Sequence, residues 1–143
     1  MLAALGNAGC GGDDDDNLDR FVGAWNYTSG TVTAQCPDQP ARIGKLEGTV
    51  SLNKGTSSPL VWVDDGCILA LDVDGNRATV RSGQQCKRTA KSSSITTTFG
   101  AYTFTVNGAV ADVGGSATTT LSSGTVTLDC TYAYAGALIR VSK

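Results

Sequence analysis

The sequence predicts an all-β fold, an antiparallel up-and-down β-barrel of about eight to ten strands, with a β-sandwich as the alternative. Apolar and polar residues alternate with the two-residue period of a half-buried strand, and no segment shows the apolar stripe of an amphipathic helix. A barrel is favoured because closure leaves no unpaired sheet edge. The clearest alternation is near the C-terminus, where the apolar set is Val126, Leu128, Cys130, Tyr132 and Tyr134.

Turn residues divide the middle of the chain into a three-stranded meander. The turns are predicted at Asp65-Gly66 and at Asp74-Gly75-Asn76. Asp side chains bond to the nearby backbone, and Gly adopts positive φ without steric cost, so both residues suit tight turns. The strands that these turns separate are Leu60–Val63, Cys67–Val73 and Arg77–Arg81.

The C-terminal half contains the strongest hairpin signal of the chain. Asn107-Gly108 lies between the alternating segments Tyr102–Val106 and Ala109–Val113. Asn-Gly is the dipeptide that two-residue hairpin turns prefer. Two further turns, at Ser122-Ser123-Gly124 and at Ala135-Gly136, are predicted to close the last two hairpins.

Several glycines fall inside predicted strands. A glycine within a strand marks a kink or a close backbone approach, and such kinks let long strands bend around a closed barrel. These interior glycines are Gly30, Gly48, Gly100, Gly114 and Gly115.

The composition describes one globular domain without the usual catalytic side chains. The chain has 143 residues, 41% hydrophobic and 17% charged, and contains no histidine. No Ser-His-Asp triad, Cys-His pair or zinc-histidine site can form without that residue. Glu47 and scattered aspartates offer no acid–base pair. The sequence therefore predicts a protein that is not an enzyme and that uses neither a cofactor nor a metal.

Charge is distributed unevenly along the chain. Five of the 13 acids precede Arg20, and all 11 basic residues lie from Arg20 onward, so that part carries 11 − 8 = +3. The window between Asp74 and Asp112 holds no acid, and its cations form either a solvated surface or a face for an acidic partner. Nucleic acid is not an expected partner, because the net charge is small and no recognition helix is present. The cations of this window are Arg77, Arg81, Lys87, Arg88 and Lys91.

The first 20 residues are predicted to form a signal remnant and a disordered acidic tether, and residues 21–143 a single barrel domain. Small residues, Ala8-Gly9, directly precede Cys10. This segment resembles the cleavage site of bacterial lipoprotein signals, and the resemblance implies that Cys10 is the lipidated first residue of the mature chain. A leader with an unmodified cysteine is the alternative. Asp13–Asp16 form a self-repelling, solvated spacer. We therefore expect an exported protein of the bacterial cell envelope, periplasmic, attached to the outer membrane or secreted, whose membrane contact is this anchor.

The other four cysteines are predicted to form two disulfides. None shows the CxxC spacing of a zinc or redox site, and four cysteines allow three pairings. The favoured pairs are Cys67–Cys86, linking a meander strand to the loop after Arg81, and Cys36–Cys130, linking the first strand region to the penultimate strand. Stable disulfides indicate an oxidising compartment.

The segment from Asn17 to Tyr27 contains Gly23-Ala24-Trp25. It resembles the beginning of lipocalins and other calycins, which open their first strand with G-x-W, and it is equally similar to the start of fatty-acid-binding proteins and of small bacterial barrel inhibitors of proteases. The resemblance implies that Trp25 plugs one barrel end and that Arg140, from the final strand, packs over it. Both residues are then structural and close the barrel.

Two functions are compatible with these features. The first is a tethered binding protein whose barrel accepts a small apolar or amphipathic ligand. The alternative is a protein-interaction module, such as a hydrolase inhibitor or a cell-surface structural lipoprotein, that uses the loops Gln84–Ser94 or Gln35–Arg42. The candidate ligand-binding residues are Tyr27, Trp62, Tyr102, Phe104, Tyr132 and Tyr134.

Overall fold

The computed structural model describes residues 17–64 and 66–143, which form ten antiparallel β-strands after a helical turn at residues 17–19. The predicted all-β class is confirmed. Cys10, the run Asp13–Asp16 and the turn residue Asp65 lie outside the described residues. The strands are β1 (Gly23–Gln35), β2 (Arg42–Lys45), β3 (Thr49–Lys54), β4 (Leu60–Asp64), β5 (Cys67–Asp74), β6 (Arg77–Val80), β7 (Gln85–Ala90), β8 (Ser93–Asn107), β9 (Val110–Ser123) and β10 (Val126–Ser142).

Eight of these strands close into a barrel. The order around it is β1-β3-β4-β5-β6-β8-β9-β10, and pairing between β10 and β1 completes the circle. That closing ladder runs from Ala24 opposite Ser142 to Gln35 opposite Thr131. Each of the eight strands is hydrogen-bonded to a neighbour on both sides, so the sheet is a closed circle and not two stacked sheets. The barrel prediction is therefore correct and the sandwich alternative is wrong.

The strands differ in length, and this difference gives the barrel two unlike ends. Strands β3 to β6 have four to eight residues, whereas β1, β8, β9 and β10 have 13 to 17. The long strands therefore extend beyond the short ones at the end that we call the mouth. There β7 pairs with β8 and β2 with β1. These two strands and the extended halves of β1, β8, β9 and β10 form what we call the projecting sheet.

The opposite end, which we call the closed end, is sealed by aromatic side chains. Phe21 and Trp25 are buried there, and Leu18 packs against the core. The packed domain thus includes Leu18, three residues before its predicted start at Phe21. The remaining core fills the barrel between Trp25 and the mouth. Its fully buried side chains include Leu52, Leu60, Leu69, Leu71, Val80, Phe104 and Leu138.

Three predicted turns differ from the structure. The β9–β10 turn consists of Gly124 and Thr125, because Ser122 and Ser123 still belong to β9. Strand β10 continues through Ala135-Gly136, where a turn was expected. Gly136 lies opposite Gly30, and a Cβ on Gly136 would come within 3.2 Å of the Gly30 Cα, so this glycine allows two strands to approach closely. The β8–β9 turn consists of Gly108 and Ala109, one residue later than predicted, because Asn107 still pairs with Val110.

Both predicted disulfides are present. Cys36–Cys130 joins the mouth-side ends of β1 and β10, with the Cα atoms 4.3 Å apart. Cys67–Cys86 joins β5 to β7, with the Cα atoms 5.8 Å apart. Cys86 lies on a strand, where a loop was expected. The segment 84–94 therefore belongs to a hairpin of β7 and β8, in which the paired strands satisfy the backbone hydrogen-bonding groups.

Candidate ligand-binding site

A cavity of about 310 Å³ opens at the mouth of the barrel. Its walls come from six strands, because the short strands end there while the long strands continue above it. Tyr27 on β1 and Tyr134 on β10 form one side, and Trp62 on β4 and Arg88 on β7 form the other. The rest of the lining is Leu46, Glu47, Thr49, Val50, Cys86, Ile95, Thr97, Phe99 and Tyr102.

A β-bulge places two aromatic residues of β8 on the same side of the sheet. Phe99 and Tyr102 are three residues apart and would face opposite sides of a regular strand. The pairing of β8 with β9 shifts between these two residues, so both point inward. Gly115 on β9 permits the shift, since a Cβ at that position would lie 2.5 Å from the Tyr102 Cα.

The aromatic side chains form one connected wall. The Trp62 ring lies 5.1 Å from Tyr102 and 5.7 Å from Phe99, measured between centroids. Tyr134 extends the wall, with its ring 5.3 Å from that of Tyr102. The contacts of Trp62 with Phe99 and of Tyr102 with Tyr134 are edge-on, the arrangement that aromatic pairs prefer.

Polar groups interrupt this aromatic wall at defined points. The hydroxyl oxygens of Tyr27 and Tyr102 lie 3.3 Å apart and share a hydrogen bond. Thr49 and Thr97 add hydroxyl groups, and Glu47 and Arg88 bring one charge of each sign to the lining. The cavity therefore combines an apolar surface with hydrogen-bonding groups, as small-molecule sites commonly do.

Four of the six predicted ligand-binding residues line the cavity: Tyr27, Trp62, Tyr102 and Tyr134. The structure places the other two elsewhere. Phe104 is 1% exposed and packs with its ring 5.5 Å from Trp62, inside the core. Tyr132 lies on the projecting sheet above the cavity, where its ring stacks on Tyr134 at 6.3 Å. The alternation of apolar and polar residues in β8 and β10 predicts which side chains point inward. It does not predict the position of each side chain along the barrel axis.

Three lining residues are not predictable from the sequence pattern. Phe99 is one of them, because the bulge interrupts the alternation that would link it to Tyr102. Arg88 falls in a predicted loop, but the structure places it on β7, where it lines the cavity. Glu47 lies in the short connection before β3, where no alternating pattern indicates its direction.

The closed end contains the contact that the G-x-W resemblance implies. The Arg140 guanidinium carbon lies 4.7 Å from the centroid of the Trp25 ring. The indole N–H of Trp25 donates to the Phe21 carbonyl at 2.8 Å. Arg140 Nη2 donates to the carbonyls of Asp19 and Arg20, and so fixes the N-terminal turn to the last strand.

The described part of the chain shows neither a metal centre nor a membrane-spanning helix. Residues 17–64 and 66–143 contain no group of three or more Cys, Asp or Glu side chains arranged to hold a metal ion. None of the helices in these ranges is long and apolar enough to cross a membrane. Comparison of the chain with protein families, curated proteins and solved structures gave no match.

Proposed function

We propose that this chain is an exported, lipid-anchored binding protein that takes up a small amphipathic ligand at the mouth of its barrel. The observation that carries the proposal is the cavity whose wall is formed by Trp62, Phe99, Tyr102 and Tyr134. Its volume of about 310 Å³ suits a small molecule with one ring system or a short chain.

The arrangement of the lining favours an amphipathic ligand over a purely apolar one. An apolar body packs on the Trp62 and Tyr102 rings, which are held by their neighbours. Polar groups of the ligand face the Tyr27–Tyr102 hydroxyl pair and the side chains of Glu47 and Arg88. Covering the Glu47 carboxylate with a purely apolar ligand would remove its water and cost free energy.

Binding without catalysis agrees best with the groups at the site. The chain lacks histidine, and Glu47 supplies the single carboxylate of the lining. General acid–base chemistry at a substrate ordinarily needs a second titratable group with a suitable pKa. The two disulfides support folding in an oxidising compartment, and a lipid on Cys10 would retain the domain at the cell envelope.

Tryptophan fluorescence tests the proposed site. Of the two tryptophans, Trp62 lines the cavity and Trp25 lies at the closed end. Titration with anilinonaphthalene sulfonate, an amphipathic aromatic probe, should therefore quench Trp62 saturably, and a Trp25→Phe variant should retain the change. Native mass spectrometry of protein purified from envelope extracts should detect a bound small molecule.

A pair of adjacent substitutions controls for indirect effects. Thr97 lines the cavity, whereas Thr96 faces the other side of β8. Thr97→Trp fills the cavity and should weaken probe binding at least about tenfold, a loss of about 1.4 kcal/mol of binding free energy. Thr96→Trp should leave probe binding unchanged. Equal effects of the two variants, or unsaturable quenching, would refute the site.

A second candidate function is protein recognition by the projecting sheet. On its concave side Ile95, Leu121 and Leu128 lie in one row across three strands, with Ile95 42% and Leu121 37% exposed. A photo-cross-linking residue at position 121 should capture an envelope protein, and the same residue at position 120, on the opposite side, should not. Equal capture from both positions would argue against recognition by this side.

A further inference from the structure

We propose that a groove at the closed end of the barrel binds a phosphate group carried by a larger molecule. The groove has a volume of about 460 Å³ and lies at the barrel end opposite the mouth cavity. Its walls include the cations Arg20, Arg140 and Lys143 and the amides Asn76 and Asn107. The proposal is independent of ligand binding at the mouth.

The three cations of the groove have no carboxylate partner among residues 17–64 and 66–143. Asp19 supplies the acidic side chain of the lining, and its carboxylate pairs with Lys54 Nζ at 3.1 Å. No ion pair with Arg20, Arg140 or Lys143 occurs within the described ranges. Like charges gathered around a concave surface raise the local concentration of anions.

Arg140 is held in place before any anion binds. Its guanidinium stacks on Trp25, and Nη2 donates to two backbone carbonyls. Its Nε is buried and has no hydrogen-bond partner. The positive charge is therefore fixed at the groove wall by neutral groups, and it is not neutralised there. Fixing the charge in advance lowers the entropic cost of binding an anion.

Hydrogen bonds also hold the uncharged wall. The Val106 amide donates to the Asn76 carbonyl at 2.8 Å, and the Arg140 amide donates to the Ala109 carbonyl at 2.8 Å. The turn at Gly108, with φ of 65°, thus remains beside the two asparagine side chains. Amide N–H groups add hydrogen bonds to an oxyanion without adding charge.

A phosphate group fits these features better than a single carboxylate does. Three cations suit a phosphate monoester, which carries between one and two negative charges at pH 7, and a phosphate diester presents four oxygens to them where a carboxylate presents two. The groove, at about 460 Å³, is larger than a bare phosphate needs. The five heavy atoms of a phosphate fill the space of only a few water molecules, each of which occupies about 30 Å³. The phosphate therefore belongs to a larger molecule, either a phospholipid headgroup or a soluble phosphate ester. Residues 17–19 lie at this end, so the lipid on Cys10 that the proposed function includes would tether the barrel to the membrane from the groove's end.

The test uses the full chain at constant ionic strength. Inorganic phosphate and glycerol phosphate are titrated while NMR follows the amide signals of Gly108, Ala109 and Lys143. Flotation with phosphatidylcholine vesicles, with and without phosphatidylglycerol, then distinguishes the two sources. Arg20→Gln and Lys143→Gln remove exposed side-chain charges, and Lys45→Gln, on β2 at the mouth side, is the matched control.

We expect saturable shifts that each groove substitution weakens about fivefold and that Lys45→Gln leaves unchanged. Binding to phosphatidylglycerol vesicles that the groove variants lose assigns the phosphate to a lipid headgroup, and shifts without vesicle binding assign it to a soluble ester. The proposal is overturned if no saturable shift occurs, or if Lys45→Gln weakens binding equally. It is also overturned if phosphate binds only after Asp13–Asp16 are replaced by Asn, because those carboxylates would then be the occupant.

Discussion

The side chain of Gln84 occupies the place of a neighbouring strand beside Ala70. Its Oε1 accepts a hydrogen bond from the Ala70 amide, and its Nε2 donates to the Ala70 carbonyl, each at 2.8 Å. Strand β6 ends at Val80, so Ala70 has no strand partner on that side of β5, whereas Val61 of β4 lies opposite it on the other side. The side-chain amide thus continues the ladder where the chain crosses from β6 to β7. It satisfies backbone groups that are costly to leave unpaired.

Gln84→Ala should lower the free energy of unfolding by about 1–3 kcal/mol, because the Ala70 amide loses its partner. The carbonyl keeps one bond, from the Arg81 amide at 3.0 Å. Chemical denaturation under non-reducing conditions measures the effect. Gln85→Ala is the control, since the Gln85 side chain makes an exposed bond to Thr98 and should matter little. Equal losses in the two variants would contradict the role of Gln84.

Neighbouring glycines on β9 should respond differently to alanine. A Cβ at Gly115 would collide with the backbone of Ala101 and Tyr102, whereas a Cβ at Gly114 meets its nearest atom at 3.9 Å. Gly115→Ala should therefore destabilise the domain by about 1–3 kcal/mol and weaken probe binding through the displaced Tyr102. Gly114→Ala should be nearly neutral in both measurements. Thermal unfolding and probe titration test the pair, and tolerance of Gly115→Ala would disprove the close approach.

The two disulfides should differ in their effect on the cavity. Replacing both cysteines of a pair by serine should cost about 3 kcal/mol for Cys67–Cys86 and about 4.5 kcal/mol for Cys36–Cys130, because the second closes a longer loop. Only the first pair includes a lining residue, Cys86. Loss of Cys67–Cys86 should therefore weaken probe binding, and loss of Cys36–Cys130 should not. The opposite result would show that Cys86 does not shape the site.

An exposed ion pair predicts a small dependence of stability on pH. Arg81 donates hydrogen bonds to the Asp72 carboxylate, the shortest 2.9 Å long, and they lower the pKa of Asp72 below its ordinary value of 3.8. The pKa of Asp72 is lower in the folded state than in the unfolded state, so the ion pair stabilises the fold fully when the pH is above the unfolded pKa. This stabilisation is lost as the pH falls through the folded pKa.

Asp72→Asn should therefore lower the denaturation midpoint slightly at neutral pH and have no effect in strong acid. Both partners are largely exposed, so the change should be small and should shrink with added salt. Asp74→Asn serves as the control, because Asp74 lies two residues further along β5 and faces the same side of the strand. The prediction is contradicted if the denaturation midpoints of Asp72→Asn and the parent chain differ more in acid than at neutral pH.

The alternating pattern determined the fold because it depends on local geometry. Residues such as Tyr102, Phe104 and Val106 can face one side only in an extended strand. The same pattern placed Tyr27, Trp62 and Tyr134 on the inner side, and all three line the cavity. The odd number of cysteines, with one near the N-terminus, separated the four that pair from the fifth.

Only the tertiary structure decided where these strands begin and end and where the barrel opens to solvent. Ala135-Gly136 looks like a turn, but Gly136 lies inside β10 because Gly30 packs against it from a strand more than 100 residues earlier. Phe99 reaches the cavity through a bulge that requires Gly115 on another strand. A one-dimensional pattern carries no information about such distant pairings. The cavity and the closed-end groove are spaces left between strands distant in sequence, so their positions follow from packing of the whole barrel.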